Sequence, residues 1–165
     1  MNIPQAIRDR NVERLKLVHP DLRMVVLATL EEMERLGFAM CVLAGARTAA
    51  EQFELYKKGR KLEAGVWVPI DPVKRTGIVT NADGFEKLSN HQVKPDGWGH
   101  AVDCGFLVDG ADRDGEFETL TFDDDRPWKL YGEMAKALGG SGVPIVWGGD
   151  WKSIYDGPHL ELRAA

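Results

Sequence analysis

The chain has 165 residues, of which 44% are apolar and 28% are charged, and its formal net charge is -5 at pH 7. Length and composition are typical of one globular domain, residues 1–165, that is large enough to bury its own core. The acidic balance argues against a nucleic-acid-binding surface, which normally carries a basic stripe. The N-terminal stretch has the pattern of neither a secretory signal nor a membrane helix, so we expect a protein made in the cytoplasm without a membrane anchor.

The first part of the chain predicts two helices. Residues 4–17 have a weak helical pattern, whereas a stronger amphipathic helix begins at His19-Pro20-Asp21 and ends at Gly37. Its apolar residues recur at helical spacing, which indicates that one face packs on the core. His19 is expected to cap or pack against this helix rather than bind a ligand.

A buried strand and a third helix follow. The unbroken apolar run Phe38–Ala44 predicts the strand, and Thr48 and Glu51 have the spacing of a capping box at the start of the helix. Arg47 lies at the corner between the two elements, where side chains commonly project into a cleft. A solvated surface arginine is the alternative interpretation.

The region between residues 61 and 88 has mixed signals. Residues 65–69 are consistent with one arm of a short hairpin, and residues 80–84 have turn chemistry. Long ordered loops in a compact domain often form functional rims, so we expect this region to shape a cleft.

The C-terminal half predicts a central strand at Ala101–Val108, a helix from Asp125 to Gly139 and two short strands at Val143–Trp147 and His159–Leu162. Asp125 is the expected cap of the helix, with Pro127 in its first turn. The acidic stretch 109–125 is expected to be a solvated loop. It is not a calcium loop, because Gly110 and Thr121 fall where acidic ligands are required.

The two cysteines do not form a disulfide framework. Cys41 and Cys104 both lie in apolar runs, where we expect reduced core residues. Cys104 follows Asp103 on the same strand and should face the opposite side.

His91, Asp103 and His159 are candidate metal ligands. Three ligands drawn from imidazole and carboxylate, with a fourth position left to water, describe a catalytic zinc site. Asp156 comes three residues before the last ligand and is a candidate general base. Spacing alone leaves the ordinary alternatives open, in which each histidine is a hydrogen-bonded core or surface residue and each aspartate belongs to a turn or a cap.

These residues stand in motifs that resemble those of the zinc peptidases that cut bacterial cell-wall peptides. The family comprises D-Ala-D-Ala carboxypeptidases and dipeptidases and the phage endolysins that split the L-alanyl-D-glutamate bond. The core motifs are Ser89-Asn90-His91, Gly99-His100-Ala101-Val102-Asp103 and Asp156-Gly157-Pro158-His159. Further pieces similar to the endolysin branch are Val18-His19-Pro20-Asp21-Leu22, Arg47-Thr48 with Glu51-Gln52, Leu55-Tyr56 with Gly59-Arg60, and Trp147-Gly148-Gly149-Asp150-Trp151.

The resemblance implies an α+β domain whose helices pack on a small, mostly antiparallel sheet that carries the zinc site. It implies that zinc is held by the three candidate ligands already named and that Asp156 is the general base. Arg47 would bind substrate or stabilise the oxyanion. Ser89, Trp147 and Asp150 would support the site or contact substrate.

One departure from the family pattern separates two of the ligands. Gln92 to Trp98 lie between His91 and Gly99, where the family usually has a much shorter spacer. Residues 95–97 can form a turn, so we expect the insertion to loop out. It also makes His100 a rival ligand, although three residues before Asp103 on a strand it should face away.

The resemblance implies an L-alanyl-D-glutamate endopeptidase that acts on the peptidoglycan stem peptide. We expect a monomeric phage or prophage endolysin that reaches the wall after a holin opens the membrane. The alternatives are a D,D-carboxypeptidase, a D-Ala-D-Ala dipeptidase and a non-catalytic relative that binds the cell wall.

Overall fold

The computed structural model describes residues 2–123, 125–152 and 154–163. Within these ranges the helices are α1 (Gln5–Arg14), α2 (Pro20–Arg35), α3 (Ala49–Lys57) and α4 (Trp128–Gly139). The strands are β1 (Met40–Ala44), β2 (Arg60–Glu63), β3 (Val66–Pro69), β4 (Ala101–Asp109), β5 (Phe117–Thr121), β6 (Ile145–Trp147) and β7 (His159–Leu162). A short 3-10 turn, Gly148–Asp150, follows β6.

Strand β4 is the centre of an antiparallel sheet that also contains β1, β5, β6 and β7. β1 pairs along one edge of β4, and the other edge is shared by β7 near the start of the strand and β5 near its end. β6 extends the sheet beyond β7. β2 and β3 form a separate hairpin. The expected α+β fold with a small antiparallel sheet is confirmed.

The core lies mainly on the face of the sheet that carries α2 and α4. Alternate β4 residues Val102, Cys104 and Phe106 are buried there against apolar residues of both helices, as the period of two in a strand requires. A smaller cluster on the other face packs Ile7 of α1 against Cys41 and Leu107. Both cysteines are free and buried, as expected.

The caps predicted at the starts of α2 and α3 are confirmed. His19 caps α2 by accepting a hydrogen bond at Nδ1 from the backbone N–H of Asp21, at 3.3 Å. Thr48 and Glu51 form both hydrogen bonds of a capping box at the start of α3.

Two predictions for residues 109–125 were wrong. Phe117–Thr121 is strand β5 rather than solvated loop, because it pairs with the end of β4, whose backbone groups would otherwise lack partners along that edge. Asp125 does not cap α4: Pro127 occupies the N-cap position, and among the described residues no side chain forms a capping hydrogen bond. Among the described residues, no helix is both long and apolar enough to cross a membrane.

Candidate metal centre and active-site cleft

The paired strands β4 and β7 place Asp103 and His159 side by side. The two residues are directly opposite in the antiparallel register, so their side chains project on the same face. Asp103 Oδ1 lies 3.0 Å from His159 Nδ1 and 3.3 Å from His91 Nε2. The predicted triad therefore meets at one carboxylate oxygen, and its ligand atoms all lie within 4.8 Å of one another.

His91 is supplied by a loop that lies against the corner between β1 and α3. The backbone N–H of Arg47 donates to the carbonyl of His91 at 2.9 Å, and His91 Nδ1 lies 2.9 Å from the carbonyl oxygen of Gly45. Since a carbonyl can only accept, Nδ1 carries a proton, and in the neutral ring the lone pair of Nε2 faces Asp103. Ser89 supports this loop because its hydroxyl accepts from the backbone N–H of His91 at 3.3 Å.

His159 is oriented by a carboxylate that sequence reasoning missed. Its Nε2 lies 3.0 Å from Glu161 Oε2, and the same oxygen accepts from the amide of Asn90 at 2.7 Å. A histidine that binds a metal through one ring nitrogen commonly donates the other N–H to such a carboxylate. The available signal was position, since Glu161 lies two residues after His159 on a strand and therefore on the same face.

The acceptor groups of the triad face one another, so a proton or a metal ion must lie between them. Both histidines hold an acceptor at their outer nitrogen, so in their neutral forms both turn a nitrogen lone pair towards Asp103, itself an acceptor. Burial would lower the pKa of His159, but hydrogen bonds with Asp103 and Glu161 outweigh it and raise that pKa to about 9. Burial would also raise the pKa of Asp103, but the two histidines hold it below its ordinary value.

A metal ion satisfies the same geometry without a shared proton. Two imidazoles and one carboxylate are a donor set that suits zinc, with room for a further ligand from the open side. Other first-row ions also accept these donors. The residues present therefore fit a catalytic divalent metal.

Arg47 and Asp156 flank the triad in a cleft of about 480 Å³. Arg47 Nη2 lies 2.7 Å from Asp103 Oδ2, the oxygen that faces away from the histidines. Asp156 is half-buried, and burial, followed by the charge of Asp103, raises its pKa. A carboxyl with a raised pKa is suited to accept a proton and return it.

Asp156 and His159 belong to a turn that buried side chains hold in place. Trp147 Nε1 donates to the carbonyl of Gly157 at 2.8 Å, and the hydroxyl of Tyr131 donates to the carbonyl of Pro158 at 3.3 Å. Trp147 is thus outside the residues that line the cleft and acts on the backbone beneath it.

Asp150 also lies outside the cleft lining. Its carboxylate pairs with Lys136 of α4 at 2.7 Å, on the surface.

The insertion between the ligand segments loops out, as its sequence predicts. The N–H of Lys94 donates to the carbonyl of Trp98 and the N–H of Gly97 donates to the carbonyl of Lys94, both at 2.9 Å, so the segment closes on itself. His100 lies outside the triad and contacts Asp96 at 2.6 Å.

An α+β fold whose antiparallel sheet carries this triad in an open cleft is typical of a metallopeptidase. A family model described as D-alanyl-D-alanine carboxypeptidase matches residues 83–162. The chain is 30% identical over 145 residues to the peptidoglycan L-alanyl-D-glutamate endopeptidase CwlK of Bacillus subtilis, which covers 88% of this chain and 73% of that protein. It is also similar to the crystal structure of the L-Ala D-Glu endopeptidase ChiX of Serratia marcescens, with a TM-score of 0.59 and 25% identity over 93% of this chain and 86% of that one.

The chain therefore belongs to the family of cell-wall metallopeptidases that includes D-alanyl-D-alanine carboxypeptidases and L-alanyl-D-glutamate endopeptidases. The resemblance found in the sequence motifs is confirmed, as is the assignment to an enzyme class.

Proposed function

We propose that this protein is a zinc-dependent endopeptidase that cuts the L-alanyl-D-glutamate bond of peptidoglycan stem peptides. The observation that carries the proposal is the convergence of His91, Asp103 and His159 at the base of a cleft flanked by Arg47 and Asp156. The bond specificity is supported by the activity for which the two relatives, CwlK and ChiX, are named.

In this proposal the three ligands hold zinc, and Glu161, Asn90 and the carbonyl of Gly45 keep the two imidazoles in their binding orientation. Zinc bound there would polarise the scissile carbonyl and lower the pKa of a water molecule to about 7.

Asp156 takes the proton from the attacking water and delivers it to the amine of D-glutamate as the peptide bond breaks. Its raised pKa favours both steps, because the acid form is accessible nearer neutral pH than for an exposed aspartate. Arg47 uses Nη2 to hold Asp103, and its remaining N–H groups are donors for the developing oxyanion. Such a donor is worth about 3 kcal/mol, or roughly 100-fold in rate.

The test is digestion of purified peptidoglycan with the zinc-loaded protein, followed by mass spectrometry and labelling of new amino termini. New D-glutamate amino termini together with free L-alanyl carboxyl groups are expected. Asp156→Ala serves as the control and should retain zinc while it releases no fragments.

A D,D-carboxypeptidase is the second candidate, because the matching family model carries that description. Release of terminal D-alanine from pentapeptide stems, without new D-glutamate amino termini, would assign that activity instead. Release of D-alanine from free D-Ala-D-Ala would assign a dipeptidase. Zinc binding with no cleavage of any of these substrates would leave a wall-binding relative.

The phage or prophage endolysin role is proposed from the motifs shared with that branch of the family. Added to bacteria whose outer layers have been permeabilised, the protein should lower the turbidity of the suspension, and Asp156→Ala should not. An unchanged turbidity with the active protein would contradict a bacteriolytic role.

A further inference from the structure

Two arginines converge on one amide oxygen in the wall of the cleft. Arg60 Nη2 lies 3.2 Å from Asn81 Oδ1, and Arg75 Nη2 lies 3.0 Å from the same atom. Guanidinium groups only donate hydrogen bonds, so the atom that they share must be the oxygen. The Asn81 amide is thereby fixed in one orientation, with its NH2 group on the side away from the arginines.

The charge of these arginines is not neutralised by the protein. Arg60 is only 7% exposed, yet its partners are the carbonyls of Tyr56 and Thr80, the Asn81 oxygen and the ring of Tyr56, 4.0 Å from its guanidinium carbon. Over residues 2–123, 125–152 and 154–163, neither Arg60 nor Arg75 forms an ion pair with a carboxylate. A buried charge without a counter-ion is costly, so this part of the cleft favours an anion.

The two arginines lie behind the lining of the cleft that contains the metal triad, and they reach it through Thr80 and Asn81. Thr80 and Asn81 line it together with His91, Asp103 and Asp156. In the described part of the chain the NH2 group of Asn81 has no acceptor, so its two N–H donors remain for a ligand. The carboxylates of the cleft surround the triad, whereas the wall formed by Thr80 and Asn81 presents donors backed by positive charge.

We propose that Asn81, oriented and polarised by Arg60 and Arg75, recognises the free carboxylate that D-glutamate carries beside the scissile bond. In the stem peptide D-glutamate continues the chain through its side-chain carboxyl group, which leaves its α-carboxylate unsubstituted. The inference rests on the proposed function, because it assigns the position of D-glutamate in an L-alanyl-D-glutamate substrate. It makes Asn81 a specificity-determining residue and the two arginines its positioning residues.

The test uses two soluble stem peptides that differ only at this group: one carries D-glutamate, and the other carries D-isoglutamine, in which the α-carboxylate is an amide. For the zinc-loaded wild-type protein we expect kcat/KM to be about 10-fold or more higher for the carboxylate peptide, the effect of one charge-assisted recognition contact. Asn81→Asp keeps acceptors for both arginines but presents a negative charge to the substrate. It should reverse the preference in favour of the amide peptide.

Arg75→Gln is a second variant, at an exposed position. By removing one positive charge it should lower, several-fold, the ratio of kcat/KM for the carboxylate peptide to kcat/KM for the amide peptide. The matched control is Arg35→Gln, an exposed arginine on α2 that pairs with Glu32, which should leave the ratio unchanged. Thermal melting of each variant checks that it is folded.

Equal cleavage of both peptides by the wild-type protein, or a carboxylate preference that survives in Asn81→Asp and Arg75→Gln, would overturn the inference and leave the endopeptidase function intact. A different result would contradict the proposed function itself. If the wild-type protein cuts neither peptide between L-alanine and the D-residue but releases D-alanine from a pentapeptide, both the endopeptidase function and this inference are wrong.

Discussion

Asp103 is a largely buried carboxylate that is stabilised by groups from three separate segments. Its Oδ1 faces His91 and His159, and its Oδ2 accepts from Arg47. A carboxylate in an apolar strand needs such partners, since an isolated buried charge is costly. The same arrangement holds the donor atoms in positions that suit a metal.

Substitution of Asp156 by Asn should abolish catalysis and leave the metal site in place. Asn keeps the shape of Asp156 but cannot accept the proton from water, so we expect kcat/KM on a stem peptide to fall by about 10²- to 10⁴-fold. Zinc content measured on the purified protein should match the wild type. Retained activity would show that Asp156 is not the base, and loss of zinc would show instead that Asp156 helps to hold the metal.

Glu161→Gln should weaken metal binding without removing a ligand. The carboxylate 3.0 Å from His159 Nε2 orients the imidazole and increases its basicity, and loss of such a partner typically costs 10- to 100-fold in metal affinity. Competition with a chromophoric chelator measures this affinity. Glu118→Gln, at an exposed position of β5, is the matched control and should have no effect.

Cys41 should react slowly with alkylating reagents in the folded protein. Burial raises the pKa of Cys41, so at pH 8.5 its thiol remains protonated to a greater extent than that of an exposed cysteine, and the thiolate is the reactive form. Mass spectrometry after iodoacetamide treatment should find little label on Cys41 until the pH is raised further. Rapid labelling of the folded chain at pH 8.5 would contradict this, and denatured protein provides the positive control.

At the scale of elements, α4 and β6 determine where the turn lies that carries Asp156, the proposed general base. Trp147 of β6 is buried against Gly132 of α4 and holds the carbonyl of Gly157. A side chain at position 132 would place its Cβ 2.1 Å from the Trp147 ring, so only glycine permits this packing. The packing of the helix against the strand thereby fixes the position of the turn that carries Asp156 and His159.

Gly132→Ala is therefore expected to destabilise the protein although alanine has the higher helix propensity. Propensity favours alanine by about 1 kcal/mol, whereas overpacking against the Trp147 ring costs typically 1–3 kcal/mol. A displaced Trp147 should also lower the activity through the 157–158 turn. Gly142→Ala, where an added Cβ meets nothing within 4 Å, is the control for thermal melting and activity. A rise in stability at position 132 would contradict the packing argument.

The inserted loop, unlike the core elements, does not influence how the strands of the sheet pair. The inserted segment between His91 and Gly99 closes through its own hydrogen bonds and leaves the pairing of β4 with β7 undisturbed. An insertion is tolerated there because it lies between two ligand-bearing segments that are each anchored independently.

At the scale of the whole molecule, the candidate metal centre joins β4, β7 and the loop of His91, which are distant in the chain. An ion that binds only the folded state stabilises it by RT ln(1 + [L]/Kd), about 4 kcal/mol at 1,000 times Kd. For a chain of this size about 1 kcal/mol corresponds to roughly 2–4 °C in Tm.

Removal of the metal by a chelator should accordingly lower Tm by roughly 8–16 °C, and zinc should restore it. Differential scanning fluorimetry of the chelated and zinc-loaded protein measures the difference. His159→Ala is the control, because its Tm should no longer respond to micromolar zinc. A wild-type Tm that is the same in both conditions would count against a metal that links these segments.

The features that could be predicted from the sequence are those whose physics is local or whose residues form recognisable motifs. The cap at His19 and the capping box at Thr48 depend on neighbours within a few residues, and the triad was found because its members lie in ordered motifs. Contacts between groups from distant segments become visible only in the folded chain. Strand β5, the contact of Asn90 with Glu161 and the convergence of Arg60 and Arg75 on Asn81 all depend on strand pairing and loop packing, which the one-dimensional pattern of apolar and polar residues does not encode.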